Sequence, residues 1–153
     1  MTERILIPLD GSKVGEAALD VVKNVITKFA PDIKVEITLL QVLTSLTHYV
    51  VAGEASVQVM YTSEELDQIK RAAVEYLRKI GEPLEKLGAT INKKVVTGNA
   101  ADEILKAAEE IGASFIGMST HGRSGISRWA LGSVTERVLR ASNRPILVVR
   151  ATK

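Results

Sequence analysis

The stretch VEITLLQVL, residues 35–43, decides the fold class. Polar and apolar residues alternate in its first half, whereas its second half is mostly apolar. This change is typical of a strand that is covered on both faces, because such a strand has no side that meets water. Strands of this kind belong to parallel sheets with helices packed on each side. We therefore expect an α/β protein.

Strand and helix patterns alternate along the chain around this stretch. The apolar run RILIPL at 4–9 ends in Asp10-Gly-Ser, which predicts a buried strand feeding a turn. From Gly15 to Phe29, apolar residues recur at spacings of three and four, which predicts a helix that Pro31 ends. The other predicted elements are helices at 63–87, 101–111 and 133–141 and strands at 90–96, 115–118 and 145–149.

The middle of the chain holds a long connection and an interrupted helix. Residues 44–62 show no clear periodicity, and a connection of this length indicates a lid or a partner surface. The segment from Thr62 to Glu65 has the spacing of a capping box, in which a hydroxyl and a carboxylate bond free amides at a helix start. Gly81 and Pro83 then interrupt the apolar face, so we expect a kink or a restart there.

The order of elements predicts a five-stranded, doubly wound parallel sheet with helices on both faces, a Rossmann-like α/β fold. With 153 residues, 46% hydrophobic and 25% charged, the chain fits one domain spanning 1–153. It contains no cysteine, which excludes disulfides, thiolate metal sites and a cysteine nucleophile. No stretch approaches the roughly 18–20 apolar residues of a membrane helix, and no signal segment is evident, so we expect a cytoplasmic protein without a membrane partner.

Charge is distributed unevenly along the chain. Residues 119–153 contain seven Lys or Arg and one acid, Glu136, giving +6, although the whole chain carries +2. This positive end indicates an anionic ligand. Single-stranded nucleic acid binds on stacking aromatics, and Trp129 is the only aromatic residue there, so a small phosphorylated ligand is favoured. The alternative is that these basic residues only solvate helix faces.

Residues 118–136, MSTHGRSGISRWALGSVTE, carry the strongest functional signal. They lie between a predicted strand and a predicted helix, at the carboxyl edge of the sheet where ligands bind. Gly122 and Gly125 would let the backbone approach a phosphate, since no Cβ blocks it. Gly132-Ser133 opens the last helix, whose free amides and dipole suit a phosphate oxygen. Ser133 and Glu136 also have capping-box spacing, so Ser133 could merely cap that helix, and both roles are compatible if backbone amides hold the anion.

This segment resembles the signature of the ATP-binding universal stress proteins, which is Gly, two residues, Gly, nine residues, then Gly followed by Ser or Thr. Gly122 and Gly132-Ser133 match it, and Ser119 stands at the first glycine position. The resemblance covers nearly the whole chain, through ILIPLDGS at 5–12, LLQV at 39–42, GSVTERV at 132–138 and PILVV at 145–149. It implies the Rossmann-like fold of the adenine nucleotide alpha hydrolases.

The resemblance also implies a set of residues around ATP, or AMP or another adenine nucleotide, with Mg²⁺ held by the phosphates. Asp10 matches the aspartate near the ribose, and Val42 matches the position whose backbone meets the adenine edge. The residues implied near the base and sugar are Pro8, Leu9, Asp10, Val42, Met118 and Ser119. Those implied near the phosphates, or in the same loop, are Gly122, Arg123, Ser124, Gly125, Gly132, Ser133 and Val134.

A homodimer is the expected assembly. Members of the resembled family commonly pair through the last strand, which here is the segment 145–149. An apolar edge strand is prone to unwanted pairing, and dimerisation would cover it. An unidentified protein partner is expected as well.

Three residues have alternative interpretations. His121 is a candidate acid or base, but no paired carboxylate or second histidine is evident near it, so it could instead contact the loop or a phosphate. Asp10 could hold a ligand or cap the first helix, a role that Ser12 could equally fill. Trp129 could cover the loop or pack in the core.

Three classes of function remain open. The leading one is an ATP-binding stress-response or signalling homodimer, in which nucleotide biases the dimer or the 44–62 connection toward a partner-binding state. The second is a slow ATPase or phosphotransferase at the same site, and the third is an interaction module that has lost nucleotide binding. A Rossmann dinucleotide site is disfavoured, because neither G-x-G-x-x-G after the first strand nor a P-loop occurs. No catalytic residue and no metal ligand is assigned.

Overall fold

The computed structural model describes residues 1–121 and 131–151, in which strands and helices alternate. In chain order these residues form β1 (Thr2–Leu9), α1 (Ala17–Ile26), β2 (Lys34–Leu43), β3 (Thr47–Ala52), β4 (Ala55–Met60), α2 (Ser63–Glu85), β5 (Thr90–Thr97), α3 (Ala100–Glu110), β6 (Phe115–His121), α4 (Ser133–Ala141) and β7 (Ile146–Ala151).

Five of these strands form one parallel sheet in the order β5-β2-β1-β6-β7. Strand β1 lies at the centre and pairs with β2 along its whole length, from Thr2 opposite Lys34 to Leu9 opposite Gln41. On its other side β1 pairs with β6. The predicted five-stranded, doubly wound parallel sheet is therefore confirmed.

Side chains of β1 enter two hydrophobic cores, one on each face of the sheet. Ile5 and Ile7 pack with residues of α1 and α2, whereas Leu6 packs with residues of α3 and α4. Each buried Ile or Leu contributes about 1.5–3 kcal/mol. Helices cover both faces of the sheet, as the apolar second half of residues 35–43 predicted.

The connection at 44–62 contains an antiparallel hairpin that the sequence pattern did not predict. Strands β3 and β4 pair from Thr47 opposite Met60 to Ala52 opposite Ala55, around a two-residue turn. Gly53 opens that turn with φ +67°, a left-handed conformation that such hairpin turns require. The hairpin forms a sheet of its own, separate from the five-stranded one.

Helix α2 begins with the predicted capping box. Thr62 Oγ1 accepts a hydrogen bond from the Glu65 amide at 3.2 Å, and Glu65 Oε2 accepts one from the Thr62 amide at 2.7 Å. The expectation of a restart at Gly81 and Pro83 is wrong, because α2 runs through both to Glu85. Gly81 allows close packing on β5, since a Cβ there would lie 2.9 Å from Ile91 Cγ2.

Helix α1 is shorter than predicted. It ends at Ile26, where the amide of Thr27 bonds the carbonyl oxygens of Lys23 and Val25. Phe29 lies beyond the helix but still packs against the core formed with α1 and α2. None of the helices found within residues 1–121 and 131–151 combines the length and the hydropathy needed to cross a membrane.

Candidate functional site

A cavity of about 670 Å³ lies beside the carboxyl ends of β1, β2 and β6. The strand order reverses at β1, because β2 lies on one side of it and β6 on the other. Ligands of open α/β sheets bind at such switch points, and sites for small molecules measure about 300–1,000 Å³. The lining residues are Pro8, Leu9, Asp10, Gly15, Val42, Thr44, Ala100, Ile104, Met118, Ser119, Leu131, Gly132, Ser133, Val134 and Thr135.

One wall of this cavity is apolar. Val42 from β2, Ile104 from α3 and Met118 from β6 line it and belong to the core shared with α3 and α4. Ile104 and Met118 are almost fully buried, at 3% and 5% exposure, so their positions are set by core packing. A flat apolar group such as a heteroaromatic ring could lie against this wall.

Asp10 supplies a carboxylate where β1 ends. Its Oδ1 accepts hydrogen bonds from the amide and the hydroxyl of Ser12, at 2.9 Å and 2.5 Å. A Cβ on Gly15 would lie 2.5 Å from the same oxygen, so only glycine leaves the carboxylate in this position. Neither Asp10 nor Ser12 caps α1, whose N-cap residue is Glu16. The carboxylate is therefore held by its own turn.

Ser119, at the end of β6, contacts the segment that follows this turn. Its Oγ accepts a hydrogen bond from the amide of Ala18 at 2.8 Å and donates one to the carbonyl oxygen of Gly15 at 2.9 Å. The residue also lines the cavity. Its hydroxyl thus joins β6 to the start of α1 across the wall of the site.

The start of α4 forms another wall of the cavity. Gly132 is the N-cap residue with φ +82°, a conformation that strains any other residue. Among the described residues, no atom lies within 4 Å of the place a Cβ would take. Ser133 is the first residue of the helix, so the interpretation of Ser133 as a cap is wrong. The end of β6 is tied to this wall, because Thr120 Oγ1 donates to the carbonyl oxygen of Leu131 at 2.8 Å.

A second cavity of about 490 Å³ continues the first between the starts of α3 and α4. The two cavities share Thr44, Ala100, Ser133 and Val134, and the second extends to Arg137. The start of α3 is already capped, because Asn99 Oδ1 accepts the Asp102 amide at 3.2 Å, whereas the N-cap residue of α4, Gly132, supplies no side-chain cap. The free amides and the positive dipole end at this site therefore come from α4. An anionic group is therefore favoured there.

Several basic side chains of the C-terminal segment are bound to carboxylates. Arg137 pairs with Asp102 at 2.6 Å, Arg140 with Glu136 at 2.8 Å, and Arg144 with Glu109 at 2.9 Å. Exposed pairs of this kind are worth about 0–1 kcal/mol each. The charges of these three residues are therefore paired with acidic residues of α3 and α4. This agrees with the alternative interpretation, in which the basic residues lie on helix surfaces and do not bind an anionic ligand.

Comparison of the sequence with models of known protein families assigns the chain to a family. The model of the universal stress protein family matches residues 1–150. The chain belongs to this family. It is 33% identical over 160 residues to the universal stress protein MJ0577 of Methanocaldococcus jannaschii, covering 98% of this chain and 96% of that protein. The predicted membership of the universal stress protein family is thereby confirmed.

Solved universal stress protein structures share the fold. The structure of MJ0577 has a TM-score of 0.70 and 26% identity, covering 99% of this chain and 97% of that one. A universal stress protein in complex with cAMP has a TM-score of 0.61 and 21% identity, covering 98% of both chains. The Arabidopsis thaliana protein At3g01520 with AMP bound has a TM-score of 0.62 and 12% identity, covering 98% of this chain and 92% of that one. The last two similarities show the fold alone.

In this universal stress protein, the structure brings most of the predicted binding residues into one cavity. The predicted residues that line it are Pro8, Leu9, Asp10, Val42, Met118, Ser119, Gly132, Ser133 and Val134. The predicted residues Gly122, Arg123, Ser124 and Gly125 lie outside the described residues, as do Trp129 and the side chain of His121.

Sequence reasoning missed other residues of the cavity. Thr44 follows the carboxyl end of β2, and Ala100 opens α3, so both could have been expected from the rule that these ends meet at one edge. Gly15 and Ile104 do not adjoin the end of a strand, so the sequence contained no sign that they line the cavity. The shape of the turn places Gly15 there, and the orientation of α3 places Ile104 there. Leu131 and Thr135 flank the predicted Gly132-Ser133 pair.

Proposed function

We propose that this cavity binds an adenine nucleotide, that ATP is the nucleotide bound in the cell, and that binding serves a cytoplasmic stress-response or signalling role. One observation carries the proposal: a single cavity joins an apolar wall, the Asp10 carboxylate and the start of α4. A nucleotide presents a flat base, a sugar with hydroxyl groups and an anionic phosphate chain. Each of these groups has a matching surface in the cavity.

The base would lie against the apolar wall. Val42 and Met118 would offer it aliphatic and thioether contacts. The family resemblance implies that the backbone of Val42 meets the edge of the base. Sugar hydroxyls would donate to Asp10, whose carboxylate is already oriented by Ser12. A hydrogen bond to a charged acceptor is worth about 1.5–3 kcal/mol.

The phosphates would lie at the start of α4. The amides of the first turn have no partner inside the helix, and the helix dipole adds a positive end. No atom of residues 1–121 or 131–151 lies within 4 Å of the place that a Cβ on Gly132 would take. Mg²⁺, which prefers oxygen ligands and retains water, would be held by the phosphates. The AMP and cAMP complexes of two structural neighbours support an adenine nucleotide.

Calorimetric titration with ATP, AMP and cAMP, each with Mg²⁺, tests the proposal. We expect saturable binding at one site per chain. Asp10→Asn should weaken binding by about 10- to 100-fold, the value of a hydrogen bond to a charged group. Asp32→Asn is the matched control, because Asp32 is an exposed acid before the amino end of β2 and should leave affinity unchanged.

Two results would contradict this function. Absence of binding at millimolar nucleotide would leave an interaction module as the remaining interpretation. Release of phosphate at about 1 per second or faster would identify an enzyme instead of a binding protein.

We further propose that the protein is a homodimer paired through β7. The two edges of the sheet differ in a way that supports this. Edge strand β5 carries Lys93 and Lys94, and charged residues discourage pairing with another chain. Edge strand β7 begins with four apolar residues, Ile146–Val149, which are only half-buried in one chain. A second copy of β7 would cover them.

Light scattering of a charged variant tests the dimer. Val148→Lys places a charge within the apolar part of β7 and should halve the mass in solution. Thr90→Lys is the matched control, because Thr90 is an exposed residue of the opposite edge strand β5. A mass of two chains for both variants would exclude pairing through β7.

A further inference from the structure

The start of α1 receives its capping side chain from a distant strand. The free amides at a helix start need acceptors, usually from the N-cap residue itself. Here that residue, Glu16, makes no capping bond, and its carboxylate instead accepts from Lys13 at 3.0 Å and from the Tyr76 hydroxyl at 3.1 Å. The amide of Ala18 is bound by Ser119 Oγ at 2.8 Å, from 101 residues along the chain.

The same hydroxyl is bonded to the turn that carries Asp10. Ser119 Oγ donates to the carbonyl oxygen of Gly15 at 2.9 Å. The amide of Gly15 donates to Ser12 Oγ at 3.0 Å, and Ser12 Oγ donates to Asp10 Oδ1 at 2.5 Å. A continuous series of hydrogen bonds therefore runs from β6 to the carboxylate at the end of β1.

One oxygen of that carboxylate takes part in the series. Within residues 1–121 and 131–151, the hydrogen bonds of Asp10 all use Oδ1. The second oxygen, Oδ2, is thereby left as the acceptor for a ligand. The carboxylate lies in the space that a Cβ on Gly15 would fill, so a change in the position of the Gly15 backbone would also affect Asp10.

We infer that Ser119 is a positioning residue, whose hydroxyl holds the turn at residues 10–16 so that Asp10 accepts a hydrogen bond from a sugar hydroxyl of the nucleotide. The inference rests on the proposed function, since it concerns the sugar contact of that site. It also explains how serine fits the first glycine position of the family motif. Its hydroxyl is bonded to the start of α1 instead of occupying the space of the ligand.

A comparison of two nucleotides separates positioning from general support of the fold. AMP carries both sugar hydroxyls, whereas 2′,3′-dideoxyadenosine monophosphate carries neither. Ser119→Ala should weaken AMP binding by about three- to tenfold, the range expected for one hydrogen bond, and should change dideoxy nucleotide binding by less than about twofold. Calorimetric titration of the wild-type protein and the variant with both nucleotides gives the four affinities.

Ser114→Ala provides the matched control. Ser114 precedes the same strand at its amino end, and its Oγ also accepts a backbone amide, that of Arg4 at 3.1 Å. This variant loses a comparable hydrogen bond far from the cavity, so both affinities should stay at the wild-type values. The melting temperatures of Ser119→Ala and Ser114→Ala should fall by similar amounts. A sugar-dependent loss of affinity in Ser119→Ala alone would then not be explained by lower stability.

Different results reject different statements. Equal losses for both nucleotides, or no loss for either, would overturn the role of Ser119 while the proposed function stands. A wild-type protein that binds both nucleotides equally well would overturn the sugar contact of Asp10, and the role of Ser119 with it. A wild-type protein that binds neither of these nucleotides nor ATP would reject the proposed function itself.

Discussion

The turn at residues 10–16 and the hairpin at residues 47–60 follow neighbouring strands, β1 and β2, at one edge of the sheet. The turn is short and is bonded to β6 through Ser119 and Gly15. The hairpin is bonded across its base, where the Tyr61 amide donates to the Leu46 carbonyl oxygen at 3.0 Å. The turn is therefore hydrogen-bonded to the five-stranded sheet, whereas the hairpin forms a separate sheet.

Burial shows the same contrast. Large apolar side chains of the hairpin remain exposed, among them Tyr49 at 72%, Val51 at 77% and Met60 at 71%. The ring of His48 stacks on Tyr61 at 4.6 Å, which fixes the base of the hairpin near the start of α2. A hairpin of two strands is only marginally stable alone in water. Both segments lie close to the carboxyl ends of the strands, but only the turn at residues 10–16 contributes to the cavity that the described residues form. The turn differs from the hairpin in its hydrogen bond to a second strand, β6.

The largest expected effect comes from adding a methyl group to the turn, and the same change in the hairpin serves as the comparison. Gly15→Ala would place a Cβ 2.5 Å from Asp10 Oδ1 and displace the carboxylate. We expect nucleotide affinity to fall by about 10- to 100-fold, the equivalent of losing a hydrogen bond to a charged group. Gly53→Ala, in the hairpin turn, meets no atom of the described residues within 4 Å and strains only a local left-handed backbone. Its nucleotide affinity should equal that of the wild type.

Calorimetry on both glycine variants measures this contrast, with circular dichroism to verify that each variant is folded. Wild-type affinity in both variants would show that the Asp10 turn does not shape the site. Equal losses would show that the hairpin is coupled to the cavity after all.

The smallest effect is expected from removing the hairpin. Leu46 and Tyr61 are already hydrogen-bonded across its base, so a short Gly-Ser linker can replace residues 47–60. Nucleotide affinity should change by less than about twofold, because no hairpin residue lines the cavity within the described part of the chain. A loss of affinity above about tenfold would exceed the effect of one lost hydrogen bond. Such a loss would mean that the hairpin contributes to the nucleotide-bound state.

The sequence predicted the sheet well because its strands are locally marked. Residues 35–43 show their two-sided burial in their own composition, and the cavity residues next to strand ends follow from the parallel arrangement. The hairpin was missed because its turn, Gly53-Glu54, lacks the Asn-Gly or Asp-Gly pair that marks such turns most strongly.

Other features could not be predicted because they depend on geometry between distant segments. The bond from Ser119 to Ala18 joins residues 101 positions apart and leaves no local pattern. Ser133 was misassigned as a possible cap because the left-handed backbone of Gly132 places the N-cap one residue earlier. Gly81 and Pro83 did not interrupt α2, since close packing on Ile91 favours glycine there and α2 ends two residues after Pro83.

The central place of β1 has a consequence for the newly made chain. Arg4 and Ser114, whose bond marks the pairing of β1 with β6, are 110 residues apart in sequence. At roughly 5–20 residues per second, a ribosome needs roughly 5–20 seconds to pass from one to the other. During that time β1 lacks its second neighbour, and neither β6 nor α4 exists to form the cavity. Only a chain that has been synthesised as far as α4 can therefore form the cavity.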